Sequence, residues 1–193
     1  MNLSNPLQGI ELTSTQQRLW KVFVFLLRLV ILSIPLYAII TFSVDLSFMQ
    51  NIAAGNTYWM LNYAGYSVTQ QHTAITVVGD SGDPFMFLIG EDCTAWKSML
   101  FFFALVFAVS GARMKKRLLG LVIGIPLIWI GNLARIFMIV SIQQSFGLDA
   151  AMLFHTIFWQ IGLVALVLVL WGFWFLRIND SRNNFNQEIQ NKA

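Results

Sequence analysis

The stretch "ARMKKRLL", residues 112–119, sets a cluster of cations between two long apolar runs, and its reading decides how the chain is arranged. Upstream lies the run 94–112 and downstream the run 118–142, each near the ~20 apolar residues that cross a bilayer as a helix. Two further runs, 21–44 and 152–176, meet the same requirement. The chain has 193 residues, 57% of them hydrophobic and only 11% charged, a composition that departs from that of a soluble domain. The expectation is an all-α integral membrane protein, one multi-pass domain over residues 1–193 with about four transmembrane helices. The first run is too long for a removable signal peptide and lacks the small-residue cleavage site of one.

Cationic loops are retained in the cytoplasm, so the basic stretch also orients the chain. Arg18 and Lys21 precede the first run, Arg113, Lys115, Lys116 and Arg117 separate the second from the third, and Arg177, Arg182 and Lys192 follow the fourth. Both termini are therefore expected in the cytoplasm, in a cell membrane. Asp45, Asp80, Asp83, Glu91, Asp92 and Asp149 fall to the other side. The net charge of +3 is then an asymmetry across the membrane. No basic face for phosphate contacts is evident, so no nucleic-acid partner is expected. Arg28, about two turns into the first run, reads as a residue snorkelling to the headgroups. Pro35 can kink that helix, which membrane helices tolerate. Residues 1–17 form a polar lead, and the tail from about 178 to 193 is polar and expected to be mobile.

The substantial polar insertion, about 45–93, should face outward. In its first part Leu46, Met49, Ile52, Ala53, Trp59, Met60 and Tyr63 recur at three- and four-residue steps, an amphipathic helical pattern. Two placements are open, one on the outer membrane surface with Tyr58 and Trp59 at headgroup level and one on top of the helical bundle. In its second part, "HTAITVVGDSGDPFMFLIGEDC" (72–93), a β-rich run Thr73–Val78 and an apolar run Phe85–Ile89 flank the turn-forming "GDSGDP". A small β-hairpin follows, whose second strand would fix the start of the next span near Cys93. His72 falls within this hairpin as a structural or exposed residue.

Three polar groups lie near the outer ends of apolar runs, where such groups are costly to keep without a use. They are Cys93 at the start of the second span, Arg135 toward the outer half of the third, and His155 in the first turn of the fourth. A thiolate is a nucleophile, a histidine can take and return its proton, and an arginine can steady a thiolate or an oxyanion. Together they make acyl transfer chemically accessible. Each has a plainer reading. A lone cysteine is most often a small buried hydrophobe. Arg135 can serve a structural pairing with Asp149, Glu91 or Asp92, and His155 an interfacial hydrogen bond. Asn132, one turn before Arg135, can orient that arginine or join helices.

Two physical difficulties accompany the trio. Glu91 and Asp92 adjoin the thiol, unless Asp92 spends its charge capping a helix that starts at Cys93. Arg135 lies seven residues before Ile142, about 10 Å below the outer end at 1.5 Å per residue. The third helix must then tilt, end early or line a water-filled cavity. One cysteine excludes an internal disulfide, a CxxC pair and a zinc site built from several thiolates.

Cys93 in "EDCTAW", Arg135 in "GNLARIF" and His155 in "LFHTIFW", in that order and each at the outer side of a span, resemble the exosortase and archaeosortase group of integral-membrane cysteine transpeptidases. The likeness runs from about the hairpin to the fourth helix. It departs at one point: the family often has a small polar residue and then glycine after its cysteine, and here Thr94 is followed by Ala95. The resemblance implies a substrate class of secreted proteins with a C-terminal sorting signal, made of a short motif, a transmembrane helix and a basic cluster. It also implies Cys93 as nucleophile, His155 as general base and acid, Arg135 as stabiliser of the thiolate or oxyanion, a lipid or other surface nucleophile as acceptor, and no metal or organic cofactor. The rival class is a non-catalytic membrane scaffold or assembly subunit, with Cys93 as packing and Arg135 in an ion pair joining helices. A transporter is a weaker third, for want of spans, paired half-helices and polar lining.

Overall fold

The computed structural model describes residues 13–78, 84–157 and 161–190. The chain runs through helices α1 (Ser14–Thr41) and α2 (Ser47–Tyr63), strands β1 (Ser67–Gln71), β2 (Ala74–Val78) and β3 (Pro84–Leu88), and a 3-10 helix (Glu91–Thr94). Helices α3 (Trp96–Ala108), α4 (Met114–Phe146), α5 (Leu148–Ile157) and α6 (Leu163–Gln190) follow. By length and composition α1 and α4 can each cross a membrane, while α3 and the Leu163–Arg177 part of α6 are shorter apolar helices.

The elements differ from expectation chiefly at their ends. α1 starts before the apolar run because Thr13 and Gln16 form a capping box, each side chain bonding the other's backbone N–H. No residue of α1 is fully buried: one side, with Phe25 and Leu29, packs against α3 and α6, and the rest of its apolar surface is exposed. α4 begins inside the basic stretch and continues to Phe146, well past Ile142. The run 152–176 is not one element: its first part belongs to α5 and its later part to α6. The backbone of α6 is helical as far as Gln190, through polar sequence that holds no Gly or Pro after Gly172.

The hairpin is one half of a three-stranded antiparallel sheet of order β1-β2-β3, with Ala74 opposite Leu88 and Gln71 opposite Ala74. β1 escaped notice because "SVTQQ" has a single strongly apolar residue, Val68. A two-residue turn joins β1 to β2, and His72 holds it at φ +54, exposed and outside any candidate site. The turn residues 79–83 lie outside the described residues.

α2 packs on the bundle through Ala53, Ala54, Thr57 and Leu61. This buried face is made of smaller residues than the expected stripe. Ile52, Trp59 and Tyr63 of the stripe stay exposed while its Ala53 is fully buried, so the stripe and the packing face overlap only in part.

One stripe of α4 organises the whole chain. Gly120, Leu121, Gly124, Ile128, Asn132, Arg135, Ile136 and Val140 are its buried residues, at helical spacing. Its first half packs with Phe102, Leu105 and Val106 of α3 and Leu163 and Val167 of α6. Its second half packs with Ala53, Leu61, Ile75, Val77 and Ile89 of the insertion. Where α3 and α4 meet, a Cβ on Gly124 would overlap the ring of Phe102, which is fully buried and has nowhere to go. Gly124→Ala is expected to cost about 1–3 kcal/mol by overpacking. Adding Phe102→Leu should restore part of that loss, as read by thermal unfolding in detergent micelles.

Candidate active site

Cys93 does not begin a long helix. It sits in the four-residue 3-10 helix that follows β3, where its N–H bonds to Gly90 O at 3.0 Å and Thr94 Oγ1 donates to Glu91 O at 2.7 Å. The chain then turns at Ala95, which has φ +55, before α3 starts at Trp96. The left-handed region costs an L-residue roughly 1–2 kcal/mol and suits glycine. Ala95 is the position at which the family resemblance has its usual glycine, so the departure in sequence falls on a residue held in strained backbone.

Asp92 therefore caps nothing. The 3-10 helix and α3 lack any side-chain cap, and Asp92 Oδ1 instead accepts from Lys97 Nζ at 2.6 Å. This reassigns the acid next to the thiol: its charge is spent largely on Lys97. Both partners are about half exposed, so the pair contributes only ~0–1 kcal/mol to stability.

α4 supplies the anchor and the cation. Asn132, fully buried, donates from Nδ2 to the carbonyl of Cys93, fixing the Cys93 segment against the helix. One turn on, Arg135 is 3% exposed, and its guanidinium lines the same cleft as the Cys93 thiol. Its Nε and Nη1 are buried with no hydrogen-bond partner. Buried donors on a charged group are expensive to leave unmade, which marks this side chain as more than packing.

His155 arrives by a different route from that expected. α4 ends at Gly147, where φ +85 reverses the chain with a single linking residue, and α5 folds back along α4. His155 lies in the last turn of α5 rather than the first turn of a span. Leu148, Ala151, Met152 and His155 fall at i, i+3, i+4 and i+7 and line one face. Burial first, and then the charge of Arg135, hold the His155 imidazole below its ordinary range, with Asp92 opposing. The ring is therefore kept neutral near pH 7, the form that accepts a proton.

These segments enclose a cleft of about 300 Å³ lined by Cys93, Arg135 and His155 together. One wall is Phe85 to Ile89 and another is the Ile136–Gln143 face of α4. The strand was legible as a strand but not as a wall. Gln143 was missed, although it stands eight residues after Arg135 on the same helical face. Among the described residues no group of three or more His, Cys, Asp or Glu is placed to hold a metal ion.

The fold and the cleft define a mostly helical protein with membrane-crossing helices and a thiol, a guanidinium and an imidazole around one cavity. Residues 5–174 match the family described as transmembrane exosortase, and the chain belongs to that family. No curated protein and no solved structure matches the chain. The family is one of membrane cysteine transpeptidases acting on proteins that bear sorting signals, so membership carries a membrane location and a transpeptidase-type function in general.

The local geometry makes two expectations. Ala95→Gly relieves the left-handed backbone and should raise the unfolding free energy by about 1 kcal/mol. Asn132→Leu leaves the Cys93 carbonyl without its donor and should lower it by about 1–3 kcal/mol. Denaturant titration of the purified protein in micelles reads both.

Proposed function

We propose that this chain is a cysteine transpeptidase that cuts the C-terminal sorting signal of secreted, membrane-anchored proteins and passes them to a lipid or other surface nucleophile. The observation that carries this reading is that three segments far apart in sequence bring Cys93, Arg135 and His155 to one cleft. A scaffold has no need of that convergence.

The chemistry follows from the groups. His155 takes the Cys93 proton, and the thiolate attacks the scissile carbonyl, forming a C–S bond and a tetrahedral oxyanion. Arg135 offers that oxygen the buried donors it does not use otherwise. As the C–N bond breaks, the imidazolium returns its proton to the departing amine, and the signal helix leaves. An acceptor amine or hydroxyl, deprotonated by His155, then displaces Cys93 from the thioester.

The membrane placement that fits this chemistry has four spans, α1, α3, α4 and the apolar part of α6, with both termini cytoplasmic. Arg28 bonds to Ser110 at 2.7 Å, and Trp174 Nε1 bonds to Lys116 O at 3.0 Å. These contacts gather the loop after α3, the start of α4 and the later part of α6 at the basic end. From Lys116 to Arg135 α4 rises about 28 Å, close to the ~30 Å hydrocarbon thickness, which puts Arg135 near the outer interface. From Trp96 to Ala108 α3 rises only about 18 Å. The thiol is thus lowered to meet the arginine, and α4 neither ends early nor needs a special tilt.

Co-expression with a secreted protein carrying such a signal tests the proposal. Cys93→Ala and Cys93→Ser should abolish processing while the protein still inserts, and Arg135→Lys and His155→Ala should each lower it by roughly 10²-fold or more. Intact mass of the product reports the cut and the attached group. Unchanged processing by Cys93→Ala would leave the scaffold reading standing. Because the lowered imidazole must be neutral to act, activity should fall on the acid side with a midpoint below 6.5, and that acid limb should be lost in the residual activity of His155→Ala.

A further inference from the structure

β3 is an edge strand, paired with β2 on one side and, among the described residues, with no strand on the other. Its phase can be worked out. Ile89 N–H bonds to Thr73 O at 2.9 Å, which makes 89 and 73 a hydrogen-bonded pair at the end of the register in which Leu88 faces Ala74. In an antiparallel ladder such pairs alternate, so Phe87 with Ile75 and Phe85 with Val77 exchange hydrogen bonds as well. Met86 and Leu88 then turn their N–H and C=O away from β2, toward the free edge. Their side chains are 68% and 67% exposed.

The cleft supplies a second, independent observation. It is lined by all of Phe85, Met86, Phe87, Leu88 and Ile89. Side chains of a strand alternate between faces, so a cavity on one face would touch every second residue. A cavity that touches five in a row runs along the edge. The same cavity reaches Cys93 four residues after Ile89, with Arg135 and His155 beside it.

We propose that the peptide to be cut binds as an added fourth strand on the free edge of β3, its main chain bonded to Met86 and Leu88 and its scissile carbonyl carried to Cys93. This deepens the transpeptidase reading and rests on it. An exposed apolar edge strand invites pairing with any extended chain, and here the free edge leads directly to the nucleophile. Recognition through backbone groups is indifferent to side chains over that stretch. It also holds the peptide extended, with its carbonyls at fixed spacing relative to the thiol.

The test uses the purified full chain in phospholipid nanodiscs and acetyl-tetraalanine chloromethyl ketone, an electrophilic peptide without side-chain information. Cys93 alkylation is followed by peptide mapping and divided by the rate with iodoacetamide on the same sample. Two methylated probes accompany it, one N-methylated on the first and third alanines and one on the second and fourth. The relative rate is expected to fall on the order of tenfold for one methylated probe and to hold for the other, since two main-chain bonds are lost in one phase only. Met86→Pro and Leu88→Pro each remove an edge N–H that β2 does not use, and should erase the difference between the probes. Equal relative rates for all three probes on the unaltered protein would overturn the strand addition while leaving the transpeptidase reading intact. Failure of iodoacetamide itself to reach Cys93 would strike the transpeptidase reading, and the strand addition with it.

Discussion

The hydrogen bond from Asn132 to the carbonyl of Cys93 is the contact on which the arrangement of this protein turns. It ties the end of the extracytoplasmic insertion, as proposed, to the middle of the longest helix, and it does so at full burial, where a lost partner is costly. Below it the α4 stripe packs with α3 and α6, and above it the same stripe packs with α2 and the sheet. The two cores therefore share one helix and meet at the site. The proposed chemistry sits at that junction because a rigid helix passes from one core to the other there.

The three groups that line the cleft and carry the proposed chemistry are held in different ways. Arg135 is built into α4, and His155 is joined to the same helix through the single-residue link at Gly147. Cys93 hangs on a short turn between β3 and α3, fixed by Asn132 on one side and by the strained Ala95 on the other. Asp92 is engaged by Lys97. This division explains how a thiol flanked by two acids can stand next to a guanidinium: the acid one residue away has its own cation.

Much of this was legible in the sequence, and the reasons for the rest are local. The apolar runs and the basic stretch gave the long helices, since hydrocarbon thickness and charge act over many residues at once. Cys93, Arg135 and His155 could be singled out because polar groups in apolar surroundings are conspicuous. The helix ends were harder. The start of α3 is set by a left-handed alanine, which no propensity foresees, and so Asp92 was expected as a cap. The reversal from α4 into α5 turns on a single glycine, Gly147, which lies between two apolar runs and belongs to neither. β1 is polar, and its strand character comes from pairing with β2. The wall of the cleft was hidden for a similar reason, because an edge is a property of the sheet and not of the strand.

The unequal lengths of the helices have a mechanical consequence for the bilayer. In the proposed placement α4 rises about 28 Å between Lys116 and Arg135 at 1.5 Å per residue, and the 13 residues of α3 only about 18 Å. A flat slab of lipid cannot match both. Hydrophobic mismatch is relieved by tilt on the long side and by thinning on the short side, at fractions of a kcal/mol per ångström. In the proposed four-span placement the membrane is thinner on the α3 side, the side on which the thiol is carried.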